Sequence, residues 1–394
     1  MIGESEIIWL LGFSYCGEGV KGEYWRGLSP YSFNSYYFTR DFIEILKPVI
    51  AGEGGVRPVL DASMFHEMMG VYARRGIHVQ LSEERLNDIL DESSMGYSVV
   101  ALPSWSTGVC VIRLEIPLEV EESEVVFLER MIRRRIRGYD PFTFRVGGGR
   151  GGEVVEGCEL LERVAAGSVA SRMGVPAESL NVRVDRDDLY YFSVLQYGGR
   201  PIDSGPLHGV LTRTISYAKS SSRDIARMMS EAVEISKGSY IYLGNYSGGA
   251  WTAGTWSSYW RGLMGEIALS LYIVRYIALN AYRRVIDRIV KVRRKARREW
   301  SLEELEDVMM ELGTVLLVSD PSIISSSYKF QHQVYPMFSR ATRLADTIRS
   351  LEDCLNILRD ISYMAFSRRI ESVSMKLNYL MLLISLISVL LALI

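Results

Sequence analysis

The sequence contains few of the residues from which common catalytic and metal sites are built. Its 394 residues include only four histidines and four cysteines, and the cysteines are scattered without a CxxC pair. No H-E-x-x-H, G-x-S-x-G or G-x-x-x-x-G-K-S/T motif occurs. A zinc protease site, a hydrolase nucleophile elbow and a Walker P-loop are therefore not indicated. These absences make an enzyme less expected without excluding one, since a site assembled from distant residues leaves no such motif, and they leave any cofactor unknown.

The chain also lacks an excess of either charge. It carries 45 Lys and Arg against 47 Asp and Glu, for a net charge of −2, which argues against a general nucleic-acid-binding protein. The first residues are acidic rather than basic, so the short apolar run 7–13 is not a signal peptide. Isolated thiols are typical of a reducing compartment. Abundant Arg and scarce Gln hint at a thermophilic source.

Pro and Gly are absent from the last 58 residues, 337–394, so no local signal breaks a helix there. The final eighteen residues, 377–394, also contain no charge. As a helix they would be about 27 Å long, against a bilayer core of about 30 Å. The sequence therefore predicts a transmembrane anchor, with a buried oligomer-core helix as the alternative. The apolar residues that define the anchor are Leu377, Leu380, Ile384, Ile387, Leu391 and Ile394.

Three basic residues, Arg368, Arg369 and Lys376, precede this apolar segment. Positively charged residues favour the cytoplasmic side of a membrane. We therefore expect a membrane protein anchored at its C-terminal end, with the bulk of the chain in the cytoplasm.

Apolar residues in the same region recur at alternating spacings of four and three, which is the pattern of a coiled-coil seam. An inserted step of four near Ser362 separates two such runs and is typical of a stutter. We expect the helix to form a homo-oligomer along this seam. The seam residues are Leu344, Ile348, Leu351, Leu355, Leu358, Phe366, Ile370 and Val373.

The run over residues 361–380, ISYMAFSRRIESVSMKLNYL, resembles the end of the stalk helix in CorA-type metal-ion transporters. In that family a cytoplasmic α/β domain and antiparallel helices lead into a very long helix that becomes the first membrane span. The resemblance implies a related fold and a role in divalent metal-ion transport. The family's Gly-Met-Asn motif does not occur, and no second span follows it here. We therefore expect a diverged transport component rather than a complete channel.

Upstream of the long helix, short apolar runs alternate with amphipathic ones, which predicts an α+β or α/β region. We divide the chain into an α/β domain (1–145), a second α/β module (146–250), a helical bundle (251–335), a coiled-coil stalk (336–376) and the anchor (377–394). Strands are expected at 6–14, 98–102, 109–116, 181–184, 189–195, 210–217 and 240–243. Helices are expected at 40–50, 82–91, 121–137, 154–166, 222–236 and 301–312.

A glycine-rich loop offers one nucleotide-binding pattern. Gly147, Gly149 and Gly152 match G-x-G-x-x-G between an expected strand and the expected helix 154–166. Such glycines let backbone N–H groups approach a pyrophosphate at a helix N-terminus. The acids Glu153 and Glu156 would repel that phosphate. A hinge between the two modules explains the same residues without a ligand.

Three further stretches allow two interpretations. The acidic cluster of Asp185, Asp187 and Asp188 is taken as solvated rather than cation-binding. The apolar run 263–282 contains Glu266 and Arg275, whose cost in lipid favours a buried bundle helix over a second span. The basic patch that follows lies against anionic lipid or pairs with the acidic helix after it. It comprises Arg284, Arg288, Lys291, Arg294, Lys295 and Arg298.

These patterns lead to one main functional hypothesis: an oligomeric scaffold or regulatory protein that presents an α/β domain at the cytoplasmic face of a membrane. The expected partners are the lipid bilayer and further copies of the chain. The alternatives are a diverged CorA-type ion-transport component and a nucleotide-binding protein that uses the glycine loop.

Overall fold

The computed structural model describes residues 2–17, 31, 33–59, 62–74, 81–136, 143–146, 153–199, 202–212, 221–254, 257–294 and 302–392. The chain separates into two compact units. The first, called the sheet unit here, comprises Met1–Ile277 and Asp320–Leu344. The second, the helical unit, comprises Ala278–Ser319 and Ala345–Ile394.

The sheet unit is built on a single mixed sheet of ten strands among the described residues. Their order is β6-β5-β2-β3-β4-β1-β7-β10-β9-β8. The strands are β1 (Ser5–Gly17), β2 (Val49–Val59), β3 (Ser94–Leu102), β4 (Thr107–Ile116), β5 (Thr143–Val146), β6 (Glu153–Glu156), β7 (Leu180–Gln196), β8 (Val233–Ser236), β9 (Ser239–Leu243) and β10 (Ser247–Thr252). Neighbours are antiparallel except β7 and β10, which run parallel.

Twelve α-helices are described across the two units. They are α1 (Arg40–Leu46), α2 (Ala62–Arg74), α3 (Glu83–Glu92), α4 (Glu122–Ile136), α5 (Gly157–Met173), α6 (Ser204–Thr212), α7 (Ser222–Glu231), α8 (Ser258–Arg294), α9 (Leu302–Val318), α10 (Pro321–Ile324), α11 (Tyr335–Thr342) and α12 (Leu344–Ala392). A π-helical turn, Phe330–Val334, precedes α11.

The sheet topology corrects the predicted division at residue 145. Strand β1, from the first predicted module, pairs along its length with β7 from the second. The modules 1–145 and 146–250 are therefore one folding unit with a continuous sheet. The predicted bundle 251–335 is also divided, since α8 up to Ile277 and the segment Asp320–Leu344 belong to the sheet unit. Pairing between strands so distant in sequence has no local signature.

Both faces of the central strand β1 are covered. Ile7, Trp9 and Leu11 point to one face and join a core with side chains of α2 to α6. Ile8 and Gly12 lie on the other face, where they approach Gly265 and Tyr276 of α8. Alternate residues of a strand face opposite sides of a sheet, so burial of both faces explains the continuous apolar run at the start of the chain.

At a bulge in the β1–β7 pairing, hydrogen bonds and an ion pair link β1, β7 and α8. The β1–β7 register shifts between Leu11 and Phe13, which releases the Gly12 N–H from the ladder. This N–H donates to the Tyr272 hydroxyl at 2.7 Å, and that hydroxyl donates to the Asp188 carbonyl at 2.6 Å. Arg275 then pairs with the Asp188 carboxylate at 2.6 Å, with both side chains almost fully buried. Burial raises the pKa of Tyr272 well above its usual value, so the hydroxyl stays protonated.

This arrangement corrects the interpretation as solvated for one member of the acidic cluster, Asp188. Its side chain is buried and its carboxylate is neutralised by Arg275. It lies two residues before Tyr190, on the face of β7 that packs against Tyr272 of α8. The two predicted strands 181–184 and 189–195 are a single strand, β7. Arg275 was expected to be costly at membrane depth. In the buried helix it compensates the charge of the Asp188 carboxylate, which would be unfavourable if it were buried alone.

Several local predictions are confirmed. The expected strands 98–102 and 109–116 are present as β3 and β4, which pair as an antiparallel hairpin. The expected helix 82–91 is present as α3, whose N-cap Ser82 accepts the Arg85 N–H. Helix α4 occupies nearly all of the predicted 121–137. Each of these elements has a strong local signal. The β3–β4 hairpin has a turn between strands of alternating polarity, and α3 has an N-cap residue. Helix α4 has acidic residues in its first turn and basic residues towards its end.

Other local predictions are wrong. Residues 210–212 belong to helix α6 rather than to a strand 210–217, and residues 213–220 lie outside the described residues. The predicted helix 222–236 ends at Glu231, because Val233–Ser236 forms edge strand β8 against β9. The predicted helix 40–50 ends at Leu46, where Lys47 adopts a left-handed conformation with φ of 45°. At the ends of the helices 222–231 and 40–46, pairing of the strand that follows outweighs helical propensity.

Edge strand β8 is short and irregular. Its register with β9 shifts between Glu234 and Ser236. The Lys329 ammonium donates to the backbone carbonyls of Glu234 at 2.8 Å and Ile235 at 3.4 Å. A lysine side chain therefore satisfies acceptors that the strand would otherwise expose.

The helical unit contains the second part of α8, together with α9 and α12. Arg284 of α8 pairs with Glu311 of α9 at 2.6 Å. Helix α9 buries Leu305, Val308, Leu312 and Val315, which recur at helical spacing. It continues through Gly313 to Val318, so the predicted end at residue 312 is wrong. A glycine inside a helix costs about 1 kcal/mol and does not by itself terminate it.

The predicted uninterrupted helix from residue 337 has one break. Helix α11 ends at Thr342, and Arg343 adopts a left-handed conformation with φ of 57°. Helix α12 then continues for 49 residues. The long C-terminal helix is thus present, but it begins at Leu344. Neither Gly nor Pro marks this break, so composition could not reveal it.

Replacement of Gly12 by Ala should test the close contact between β1 and α8. A Cβ at this position would overlap the Tyr276 ring, and overpacking of a core costs about 1–3 kcal/mol. Gly167→Ala is the matched control, because a Cβ there meets nothing within 4 Å and Ala favours a helix over Gly by about 1 kcal/mol. Urea denaturation should show destabilisation in the first variant and slight stabilisation in the second. Equal stability of the two variants would contradict the contact.

Candidate functional site

Two features stand out as candidate functional sites: the exposed surface of α12 and a polar cleft in the sheet unit. Every described side chain over 370–385 of α12 is exposed, although many are large and apolar. Ile370, Leu377, Leu380 and Ile384 are each more than half exposed. The helix continues to Ala392. Apolar exposure on all sides of a helix marks a surface that meets lipid or another protein.

The exposure of α12 divides the predicted coiled-coil seam into two halves. Leu344, Leu351 and Leu358 are each at most 1% exposed, so they are already covered within a single chain. These three leucines therefore leave little surface for a second copy, and the oligomer contact along this upstream half stays a prediction. Ile348 and Leu355 are partly buried. The downstream half, Phe366, Ile370 and Val373, is more than half exposed and remains a predicted contact between copies.

The apolar part of α8 differs from that of α12. Within the described part of the chain, the helical segment Ser258–Asp287 has the length and hydropathy of a membrane span, but 83% of its most apolar window is buried. Its Tyr272 and Arg275 side chains bond to the sheet. These contacts fit the predicted buried helix.

The anchor 377–394 remains a prediction. Ile387 and Leu391 belong to the described helix α12, whereas Ile394 lies outside the described residues.

The structure does not support the strand–loop–helix context expected around the glycine loop. The loop is preceded by β5 and followed by β6, and these strands pair with each other in antiparallel register. The predicted helix over 154–166 therefore starts later, at Gly157. Gly147, Gly149 and Gly152 lie outside the described residues. A loop between two paired strands does not lead into a helix whose N-terminus could bind a phosphate. The nucleotide site at this loop therefore stays a prediction that lacks the usual strand–loop–helix context.

The basic patch is partly described. Arg284 pairs with Glu311 of the acidic helix α9, which agrees with the pairing alternative at that position. Helix α8 carries Arg288, Lys291 and Arg294 to its end, while Lys295 and Arg298 lie outside the described residues. For those five residues, contact with anionic lipid remains a prediction.

The polar cleft has a volume of about 820 Å³ and lies entirely within the sheet unit. Helices α6 and α7 supply one side of it, and the turn after β9 supplies another. The π-helical turn and α11 complete its lining. The polar side chains around it include His208, Asp224, Arg227, Glu231, Tyr242, Asn245, His332, Gln333 and Arg340. Met228, Val233 and Met337 contribute buried apolar surface.

Charges on the α7 side of the cleft are held in place by local bonds. The Ser221 hydroxyl donates to the Asp224 carboxylate at 2.6 Å, which lowers the pKa of Asp224. Arg227 donates to Glu231 at 2.9 Å, one helical turn away. Burial lowers the pKa of His208, an effect that the nearby Asp224 carboxylate opposes. At neutral pH the cleft therefore presents an ionised carboxylate next to a neutral imidazole.

The π-helical turn and α11 contribute exposed donors to the cleft lining. His332 lies against the Tyr328 ring, with the ring centres 4.3 Å apart. Arg340 is exposed and forms no ion pair with any residue that the structure describes. Within the described ranges, no group of three or more His, Cys, Asp or Glu side chains is arranged to hold a metal ion.

Comparison with known proteins identified no related protein: no family model, curated protein or solved structure matches the chain. Functional inference for this chain therefore rests on its own residues and geometry.

Sequence reasoning did not identify the cleft. Its lining comes from segments between His208 and Arg340 that are far apart in sequence, and no spacing rule connects them. The only local signal was Ser221 followed three residues later by Asp224, a pattern typical of a helix N-cap. That signal predicts the start of α7 but gives no indication of a cavity.

Replacement of Ser221 by Ala should raise the pKa of Asp224 towards its usual value, because the hydroxyl bond is the largest cause that lowers it. Ionised Asp224 favours the folded state above the usual carboxyl pKa, and this contribution is lost as the pH falls through the folded-state pKa. NMR titration of the Asp224 carboxyl and the His208 ring measures both groups. Loss of the N-cap also destabilises the helix by about 1 kcal/mol.

Ser82→Ala is the matched control, since it removes the N-cap of α3 in the same way. It should lower stability by a similar amount and leave the Asp224 titration unchanged. An Asp224 pKa that is identical in Ser221→Ala and in the unmodified chain would contradict the bonding described above.

Proposed function

We propose that the protein is a membrane-associated scaffold or regulator, in which α12 attaches the sheet unit to the cytoplasmic face of a lipid bilayer. The observation that carries this proposal is the exposure of Leu377, Leu380 and Ile384 on a helix that continues to Ala392. In water this surface is unfavourable by about 25 cal/mol for each Å² of apolar area. Insertion into lipid removes that cost.

The helix geometry supports a bilayer as the partner of this segment. A helix keeps all its interior backbone groups bonded, which is a requirement for a segment in hydrocarbon. The eighteen residues 377–394 contain no charge. Lys376 lies directly before them and is exposed, as expected for a basic residue at the cytoplasmic interface.

The downstream seam supports self-association next to the membrane. Phe366, Ile370 and Val373 recur at spacings of four and three on an exposed part of α12. Pairing of copies along this stripe would bury side chains that a single chain leaves in water. The proposed oligomer contact is thus limited to the part of the helix between the buried seam and the membrane segment.

The CorA-type interpretation, a divalent-ion transport component, is a less supported alternative. The element order, with a mixed sheet followed by helices and then by a long apolar helix, agrees with what that resemblance implies. The family's Gly-Met-Asn motif does not occur in the sequence. Measurement of divalent-ion flux into vesicles that contain the full chain separates transport from a scaffold role.

Membrane attachment can be tested by flotation with neutral phosphatidylcholine vesicles. The unmodified chain should float with the vesicles, and a variant with Leu380→Lys and Ile384→Lys should not. Each lysine at a helix centre costs about 3 kcal/mol in a bilayer. The control carries Ile357→Lys and Met364→Lys, at positions that are also more than half exposed but precede the anchor, and it should float normally. A freely soluble unmodified chain that ignores vesicles would refute the proposal.

Self-association can be tested separately in detergent. Phe366→Glu with Ile370→Glu should reduce the molar mass measured by light scattering, because repelling charges would face each other across the seam. Vesicle binding should persist, since the anchor is intact. Met364→Glu with Met375→Glu is the control, because both residues are exposed and lie off the seam. Unchanged mass in the first variant would place the oligomer contact elsewhere or remove it.

A further inference from the structure

The sheet unit contains a strap, defined here as residues 33–39, that is bonded to helix α8. The backbone N–H of Asn34 donates to the Glu266 carboxylate of α8 at 3.0 Å. Phe33 and Phe38 are 3% and 2% exposed, and Phe38 forms a bridge with Ser325. The strap is therefore held by buried aromatic side chains and, at Asn34, by a carboxylate that can change its charge.

Near the Asn34–Glu266 bond, two carboxylates interact with a single guanidinium. Glu6 of β1 is almost fully buried and accepts a bond from Arg113 of β4 at 2.9 Å. Arg113 lies against α8, since a Cβ at Gly265 would be 3.5 Å from its Nη1 atom. Arg113 also attracts the ionised Glu266. None of the ion pairs in the described part of the chain includes Glu266, so this carboxylate shares the guanidinium that Glu6 already holds.

Further charges around this cluster are mostly acidic. The other titratable side chains that act on its members are Tyr31, Glu53 of β2, Glu115 of β4 and Arg261 of α8. Tyr31 is uncharged, because burial raises its pKa to about 12. Arg261 is already bonded to Glu4. The cluster therefore has more carboxylates than guanidinium groups to compensate them.

The Glu266 carboxyl is the group that takes up a proton as the pH falls. Burial raises its pKa above the usual value, while the Asn34 N–H and Arg113 oppose this shift. Burial also raises the pKa of Glu6, but that carboxylate holds the direct bond to Arg113. A protonated carboxyl keeps acceptor capacity, so the bond from Asn34 survives protonation.

Packing of the strap is consequently favoured in weak acid. A carboxyl whose pKa is raised by packing stabilises the packed state below its usual pKa, and this contribution is lost as the pH rises through the raised pKa. Ionised Glu266 instead favours a state in which its carboxylate reaches water. Glu266 is only partly buried and is bonded to the strap, so a local displacement of the strap is sufficient to hydrate it.

We propose that Glu266, together with Glu6 and Arg113, is a pH-sensitive latch that holds the strap on α8 in weak acid and loosens it at neutral pH. The latch lies entirely within the sheet unit. It therefore does not depend on membrane attachment through α12.

Hydrogen exchange of the full chain in detergent, read by mass spectrometry on peptides that cover the strap, tests the latch. Exchange is expressed as a protection factor, which removes the direct effect of pH on the chemical rate. Protection of Asn34 should be higher at about pH 5 than at about pH 8, a range that covers carboxyl groups with pKa values raised by burial. The change should reach about tenfold for each unit by which packing raises the pKa of Glu266. The Gly12 N–H, which donates to the Tyr272 hydroxyl, is the internal reference for changes in overall stability.

Two variants assign the response to Glu266. Glu266→Gln should hold the strap at both pH values, because its side chain is uncharged and its amide oxygen can still accept the Asn34 N–H. Glu44→Gln is the matched control, since Glu44 is an exposed carboxylate of α1 that pairs with Arg40 on the surface. The control should keep the pH response of the unmodified chain. Thermal unfolding midpoints establish that each variant is folded.

Any of three results overturns the proposal. The first is Asn34 protection in the unmodified chain that is equal at the two pH values or higher at the neutral one. The second is a pH response that persists in Glu266→Gln, which would assign it to another group. The third is loss of the response in Glu44→Gln as well, which would make it a general effect of surface charge. Failure of membrane attachment would alter none of these measurements.

Discussion

The structure depends on the burial of strand β1, from Ser5 to Phe13, between two sheet neighbours and two layers of helix. Its residues face a helical core on one side and α8 on the other. Such a strand leaves no backbone group to water, so every N–H must find a partner inside the protein. The Gly12 N–H finds the Tyr272 hydroxyl at the bulge. Tyr272 and Arg275 of α8 bind the backbone carbonyl and the carboxylate of Asp188, respectively.

This constraint also explains why two apolar helices have different roles. Helix α8 is apolar around most of its circumference between Leu263 and Ile277 because it is enclosed in the chain. Helix α12 is equally apolar beyond Leu377, yet it is exposed where its side chains are described. Composition alone cannot separate these cases, since a core and a bilayer select the same residues. Two ionisable residues, Glu266 and Arg275, were the sequence signal for a buried helix, and the structure pairs Arg275 with Asp188 on β7.

The parts of the fold with strong local signals were predictable, and those made by distant pairing were not. The β3–β4 hairpin and the N-cap at Ser82 follow from turn and capping residues. The union of two predicted modules through β1 and β7 depends on contacts between residues nearly two hundred positions apart. The candidate sites differ in the same way: the apolar α12 was evident from its lack of charge, whereas the cleft joins four segments that share no motif. The buried leucines of the upstream seam, Leu344, Leu351 and Leu358, illustrate a limit of prediction from heptad spacing. The spacing shows that a helix face is covered, but it does not distinguish a partner in another copy from one in the same chain.

Lys329, which bonds to edge strand β8, affects how neighbouring copies of the protein could associate through their sheets. A sheet can grow by accepting a strand from a neighbour only if its outermost carbonyls are free. Lys329 already occupies two of these carbonyls on β8, and an incoming strand would have to displace an ammonium from them. Adjacent copies therefore gain little by merging their sheets at this end, so any association between copies would leave their sheets separate here.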